Sequence, residues 1–240
     1  MNCLNWILFL TSLNVVLVSV ERFSFTTRVL LPPADFLRLH EVFQMTVVIL
    51  ITVVLPCFLL RLLTDDFRLL PERRVQWFSL VFAIGIYFYA TGNGLHELAS
   101  FELGEYCDPR NPVGRQCQGL FFNDFYWGNG LYFFGALLMN MPLLLLERMR
   151  PSVKMARGQW AILVANAVVF ALAILAYAGF DRVLVGLVYS LLMLAASVLL
   201  LVGRTVPISR LPLTVYTVVA YGLGCSGAAA ARLLGGGGLV

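Results

Sequence analysis

Seven long apolar stretches divide this chain, and they constrain its fold more than any other feature of the sequence. Each holds roughly 20 residues, the length that an α-helix needs to cross the hydrocarbon core of a membrane. The stretches lie near 3–20, 41–63, 76–98, 119–146, 160–180, 183–203 and 212–233. Prolines and aspartates, which end helices, are concentrated in the connections between them. The sequence therefore predicts an all-α fold, a polytopic membrane bundle of seven transmembrane helices.

The overall composition supports one membrane domain spanning residues 1–240. Hydrophobic residues make up 60% of the chain and charged residues only 12%. Soluble domains are nearer half apolar and about a quarter charged. The excess of apolar side chains must face lipid, so the lipid bilayer is the first predicted partner of this protein.

Basic residues lie mainly in the connections, where they indicate orientation in the membrane. A net charge of +4, scattered along the chain, is too weak and too dispersed for binding nucleic acid. The second, fourth and sixth connections hold ten Lys and Arg residues, Lys154 among them, whereas the other three hold six, including Arg182. Because positive charge accumulates on the cytoplasmic side, we expect a cytoplasmic N-terminus. The C-terminus and the 99–118 connection are then on the outer side.

The five cysteines fall into two groups. Cys107 and Cys117 flank a proline-containing turn in the connection predicted to face outward, where a disulfide can persist. We therefore predict a bridge between them. Cys3, Cys57 and Cys225 lie in or beside apolar helices, where a small buried hydrophobic side chain is the expected role.

A repeated tetrapeptide predicts how the third and fourth helices pack. Gly-Asn-Gly-Leu occurs twice, beginning at Gly92 and again at Gly128. In antiparallel neighbours, residues at equal depth have residue numbers with a constant sum. If Gly92 faces Gly128, then Gly85 faces Gly135, so small residues meet twice. Close approach through small residues is a common way for membrane helices to pack.

The same register predicts a polar cluster at the outer ends of these two helices. It places His96 opposite Asp124 and Glu97 opposite Asn123. Asn93 is on the same face of the third helix as His96 and Glu97, because residues three and four apart share a helix face. Charged groups at this depth are costly unless they are paired or hydrated. We therefore expect the two polar faces to meet each other or a cavity.

Further polar residues extend this cluster. On the fourth helix, helical spacing places Trp127 on the same face as Asp124. The outer end of the second helix carries a polar stripe formed by His40, Glu41 and Gln44. We therefore add Asn93, Asn123, Trp127, Gln44 and Glu41 as candidate binding residues.

The first functional hypothesis is a structural or accessory membrane subunit, in which polar side chains only join helices together. Such a subunit needs a membrane-protein partner. The seventh helix carries a run of small residues that would pack against this partner. These residues are Gly222, Gly224, Ser226, Gly227 and Ala228–Ala231.

The second hypothesis is a membrane-embedded enzyme with His96, Glu97 and Asp124 as catalytic residues. Together with His40, these side chains suit a transition metal such as zinc, iron or manganese. The sequence after His96 and Glu97 lacks the second histidine of the zinc-protease motif H-E-x-x-H. Without a metal, Asp124 would orient His96 as a general base.

The third hypothesis is a small-solute or proton-coupled transporter. Glu97 or Asp124 would carry a proton or contact a cation, because ionisable groups within membranes commonly mark such paths. Asn14, Asn140 and Asn166 lie deeper in the apolar stretches, and Pro56 and Pro142 would bend the second and fourth helices around a cavity. The seven stretches show no inverted repeat, which many secondary transporters have.

Overall fold

The computed structural model describes residues 2–33, 35–152, 155–180 and 183–234. Lys154 and Arg182, which entered the orientation count, lie outside these ranges. So does Asp181, in the short connection between the fifth and sixth helices.

Seven helices in the described part of the chain are long and apolar enough to cross a membrane, which confirms the predicted fold. They are α1 (Cys3–Glu21), α2 (Leu39–Leu63), α3 (Arg73–Tyr106), α4 (Arg115–Met149), α5 (Arg157–Gly179), α6 (Val185–Val202) and α7 (Pro212–Leu234). Large apolar side chains such as Leu172 and Leu199 are exposed around the bundle. Exposed apolar surface of this kind contacts lipid in a membrane protein.

The third connection is much shorter than the predicted range 99–118. Helix α3 continues to Tyr106 and α4 begins at Arg115, so the connection is reduced to 107–114. The prediction was wrong because hydropathy marks where a helix leaves the lipid, not where its hydrogen bonding ends. The polar last turns of α3 extend beyond the apolar stretch, and Glu105 forms an ion pair with Arg38 at 2.8 Å.

The predicted Cys107–Cys117 bridge is confirmed, with an S–S distance of 2.00 Å. It fastens the end of α3 to the first turn of α4, and we call this end of the bundle the disulfide end. Among the free cysteines, Cys225 is buried and Cys57 is half-buried, as expected of helix-packing thiols. Cys3 is exposed instead, because it occupies the first position of α1.

The glycine contacts between α3 and α4 confirm the predicted register. A Cβ atom added to Gly92 would lie 2.7 Å from the carbonyl oxygen of Gly128. One added to Gly85 would lie 2.9 Å from the carbonyl oxygen of Gly135. The two backbones therefore touch at both levels, and this pair makes the most extensive helix contact in the bundle.

Small residues also join α5 and α7. A Cβ atom on Gly224 would overlap the side chain of Ile174, and Gly179 packs against Ala228. Part of the small-residue face that we predicted to bind a partner is therefore used inside the bundle. Ser226 on the same helix is exposed. Binding of a partner protein through α7 stays a prediction.

Hydroxyl and amide groups pair in the middle of the bundle. The Tyr89 and Tyr132 hydroxyls are 2.8 Å apart, joining α3 to α4. The Tyr189 and Tyr221 hydroxyls are 2.7 Å apart, and Asn140 Nδ2 donates to Tyr189 at 3.1 Å. Each pair links different helices, so Asn140 contributes here to helix packing.

Candidate functional site at the disulfide end

Polar side chains from four helices converge at the disulfide end, and we call them the acid–histidine cluster. Its members are Glu21 from α1, His40, Glu41 and Gln44 from α2, Asn93, His96 and Glu97 from α3, and Asp124 from α4. The four carboxylates are nearly inaccessible, with exposed fractions of 5% for Glu21, 4% for Glu41, 6% for Glu97 and 3% for Asp124. Burying four acids within membrane-spanning helices is unusual and normally functional.

Two of the four helices are interrupted by π-helical turns at this cluster. One spans Gln44–Val48 in α2 and the other Asn123–Gly128 in α4. A π-helical turn accommodates an extra residue and is frequent at functional sites. It also rotates the following side chains, so Trp127 is 53% exposed although Asp124 is buried. The prediction that these two share a face was wrong, because it assumed α-helical spacing.

His96 and Asp124 form the pair that the register predicted. His96 Nδ1 lies 2.7 Å from Asp124 Oδ1 and 3.2 Å from the Asp124 carbonyl oxygen. Both neighbours are acceptors when the carboxyl is ionised, so Nδ1 is assigned the hydrogen. Asn129 Nδ2 donates to the same carbonyl at 3.2 Å. This arrangement orients the ring and leaves Nε2 for another partner.

A second histidine–carboxylate pair lies between α1 and α2. His40 Nδ1 lies 2.6 Å from Glu21 Oε2, at ion-pair distance, and that oxygen accepts a hydrogen bond from Gln44 Nε2 at 2.8 Å. The other oxygen of Glu21 accepts from the Thr26 hydroxyl at 2.5 Å. Glu21 was missed in the sequence, where it directly follows the uncharged stretch 3–20. Its position at the end of an apolar stretch is the only feature of the sequence that could have indicated this role. An acid that simply lies at the membrane surface would look the same.

Two other predicted residues have simpler surroundings. Glu41 accepts a hydrogen bond from the Arg38 backbone N–H at 3.1 Å, which caps the first turn of α2. Asn123 is half-buried at the start of the π-helical turn. The described contacts include no hydrogen bond between Asn123 and Glu97. That predicted pair is therefore not formed, although the two helices adjoin as expected.

Glu97 differs from the other buried acids because nothing in the described chain satisfies it. Its carboxylate makes no hydrogen bond and no ion pair with a described residue, yet it is within electrostatic range of both histidines, Arg22 and Glu41. One helical turn away on the same face, Asn93 is also buried. Its Nδ2 has no hydrogen-bond partner in the described part of the chain. The Glu97 carboxylate is therefore available to bind a proton or a ligand, and the Asn93 amide is available to donate a hydrogen bond to a ligand.

The charges of the cluster do not balance. Four buried carboxylates face two imidazoles and the exposed guanidinium of Arg22, whereas Arg38 is engaged by Glu105. Even if both histidines were charged, one negative charge would remain in excess. An uncompensated buried charge is strongly unfavourable. The cluster should therefore hold at least one proton, or another cation, when it is buried.

The four predicted metal ligands do not form one coordination shell. His40 pairs with Glu21, and His96 pairs separately with Asp124. Among the residues that the structure describes, no three His, Cys, Asp or Glu side chains converge closely enough to hold a metal ion. A transition-metal centre therefore has no ligand set in this part of the chain.

A fifth buried acid, Glu147, lies at the opposite end of the bundle and was missed. It is fully buried and accepts hydrogen bonds from the backbone N–H groups of Leu213 at 2.6 Å and Thr214 at 2.8 Å. The Thr214 hydroxyl donates as well, at 2.7 Å. The first backbone N–H groups of a helix have no acceptor within that helix. Glu147 of α4 accepts from them and so caps the start of α7. The sequence shows only an acid directly after the stretch 119–146.

Comparison with known proteins identifies no relative. The chain matches no protein family, no curated protein and no solved structure. Its function therefore has to be argued from the acid–histidine cluster itself.

Proposed function

We propose that this protein is a proton-coupled membrane transporter in which Glu97 is the proton-carrying group. The observation that supports this proposal most directly is the isolation of Glu97, a buried carboxylate without a hydrogen bond from any described residue. Such a group is stable when it is protonated and unstable when it is charged and buried. Its protonation state is therefore coupled to whether the cluster is closed or open to water.

Joining helices together accounts for Glu21 and Asp124, and capping α2 accounts for Glu41. Glu21 is bound by three side chains, Glu41 by a backbone N–H group, and Asp124 by His96. Interhelical hydrogen bonds of this kind are common in membrane proteins. Glu97 makes none with any residue that the structure describes, and an unpaired buried carboxylate destabilises packing. The accessory-subunit hypothesis therefore leaves the least favourable group of the cluster without a role.

The two histidines are suited to delivering the proton. Each Nδ1 is held by a carboxylate, so each ring can exchange a proton through Nε2 without losing its orientation. The His96 side chain is partly exposed, whereas Glu97 is buried. A proton would pass from the exposed imidazole to the buried carboxylate. The imidazole then regains a proton from water, so the cluster has gained one proton in total. This gain removes the excess negative charge and so favours the closed arrangement of α1 to α4.

The proposal is tested with Glu97→Gln, which removes the proton-binding group but preserves its size and polarity. In nanodiscs, infrared difference spectra between acidic and alkaline buffer should show a protonated carboxyl band that this variant lacks. In proteoliposomes under an imposed potential, proton uptake by the variant should fall to about a tenth of the wild-type rate or less, because the unpaired carboxylate of the cluster is gone.

The matched control is Glu105→Gln, which changes an exposed acid on the same helix that pairs with Arg38. Surface ion pairs contribute little, so this variant should keep both the infrared band and the flux. The proposal fails if Glu97→Gln retains the band. It also fails if wild-type vesicles take up protons faster than protein-free vesicles and Glu97→Gln vesicles take them up at the wild-type rate.

A further inference from the structure

A groove between α1 and α2 lies apart from the acid–histidine cluster, in the middle of both helices. Its volume is about 420 Å³, and every lining residue except Asn14 is apolar. Leu13 and Leu50 at its margin are 52% and 62% exposed, so the groove opens on the lipid-facing side. Leu55 at its base is buried.

Asn14 brings one unsatisfied acceptor to this groove. Its Nδ2 donates to Thr52 Oγ1 at 2.8 Å, and the Thr52 hydroxyl donates in turn to the Val48 carbonyl oxygen at 2.8 Å. Because the only hydroxyl hydrogen of Thr52 is used, Thr52 must accept from Asn14, which fixes the orientation of the amide. Asn14 Oδ1 then has no partner among the described residues, although the side chain is 92% buried.

A second acceptor lies at the same depth. Pro56 is inside α2 and has no N–H group, so the Thr52 carbonyl lacks the donor that an α-helix normally provides. Asn14 is about 16 Å along α1 from Cys3 and about 10 Å from Glu21, at the usual helical rise. Water is scarce at this depth, and unsatisfied polar groups are costly there. A donor for these acceptors must therefore arrive dissolved in the membrane.

We propose that this groove binds a long-chain alcohol, a single apolar chain whose terminal hydroxyl donates to Asn14 Oδ1. The groove volume is near the lower end of ligand sites, which span roughly 300–1,000 Å³, and this favours one chain over a two-chain lipid. The apolar lining suits the chain, and Asn14 Oδ1, the one lining side-chain oxygen without a described partner, suits a single donor. The inference does not depend on proton transport at Glu97.

The test uses hexadecanol with a photoactivatable diazirine beside its hydroxyl, added to wild-type protein in nanodiscs. Mass spectrometry should place the label on residues 10–17 and 50–55. Unlabelled hexadecanol should compete about tenfold better than its methyl ether, because the ether retains the chain but cannot donate the hydrogen bond. Asn14→Leu should reduce labelling by a similar factor. The control Ser19→Ala, which removes a hydroxyl bonded within α1, should leave labelling unchanged.

Two results would overturn the proposal. Equal competition by the alcohol and its methyl ether would show that the groove takes any apolar chain. Label distributed equally over exposed positions such as Leu199 on α6 would show that no specific site exists. The comparison of competitors uses wild-type protein alone, so it remains decisive even if Asn14→Leu fails to fold.

Discussion

Single glycines set the distance between α3 and α4, and Gly92 offers the sharpest test. Replacing Gly92 with alanine puts a methyl group against the backbone of α4, where the nearest oxygen would be 2.7 Å away. Backbone cannot yield as a flexible side chain does. We therefore expect Gly92→Ala to lower the free energy of unfolding by about 1–3 kcal/mol, as overpacking does. Reversible unfolding in mixed detergent micelles measures this change.

The same helix provides a matched control two residues away. A Cβ atom added to Gly94 would meet nothing within 4 Å. Gly94→Ala should therefore be neutral or slightly stabilising, because alanine favours the helix more than glycine does. Equal destabilisation by both substitutions would show that the loss reflects helix geometry rather than the contact with α4.

At the scale of helices, the start of α7 depends on a side chain from α4. Glu147→Leu removes the acceptor for two backbone N–H groups and the Thr214 hydroxyl. We expect a loss of about 2 kcal/mol, the upper end of the range for a helix cap. Hydrogen exchange should accelerate specifically at the amides of Leu213 and Thr214.

Glu72→Leu is the control for this prediction. Glu72 is an acid at the same end of the bundle, where it pairs with Arg150 on the surface. It should change stability by less than about 1 kcal/mol and leave exchange in α7 unaltered. If Glu147→Leu also leaves those amides protected, α7 does not depend on the cap from α4.

For the whole molecule, orientation in the membrane stays a prediction and can be tested by labelling. Arg28 and Arg68 are exposed in the first and second connections, at opposite ends of the bundle. In a Cys3→Ser background, an impermeant maleimide should label Arg28→Cys from outside intact cells and Arg68→Cys only after permeabilisation. The disulfide, at the same end of the bundle as Arg28, agrees with an oxidising outer side. Labelling of both positions from one side would refute the arrangement.

The sequence by itself determined the number of membrane spans, the Cys107–Cys117 bridge and the register of α3 against α4. These features depend on local properties: the length of apolar runs, the spacing of two cysteines and a repeated glycine pattern. The register in turn brought His96 to Asp124 correctly. Outside the α3–α4 pair, the sequence offered no comparable repeat from which contacts between helices could be predicted.

Only the tertiary structure decided that Glu21 meets His40, that Glu147 caps α7, and that Glu97 has no hydrogen bond or ion pair with a described residue. Each of these outcomes depends on which helices adjoin and at what depth, and residues far apart in the chain carry no local mark of that. The π-helical turn at Asn123–Gly128 was equally hidden, because one extra residue in a turn changes which side chains face inward without changing hydropathy. Hydrophobicity places helices in the membrane, but packing between helices selects the partners of their few polar side chains.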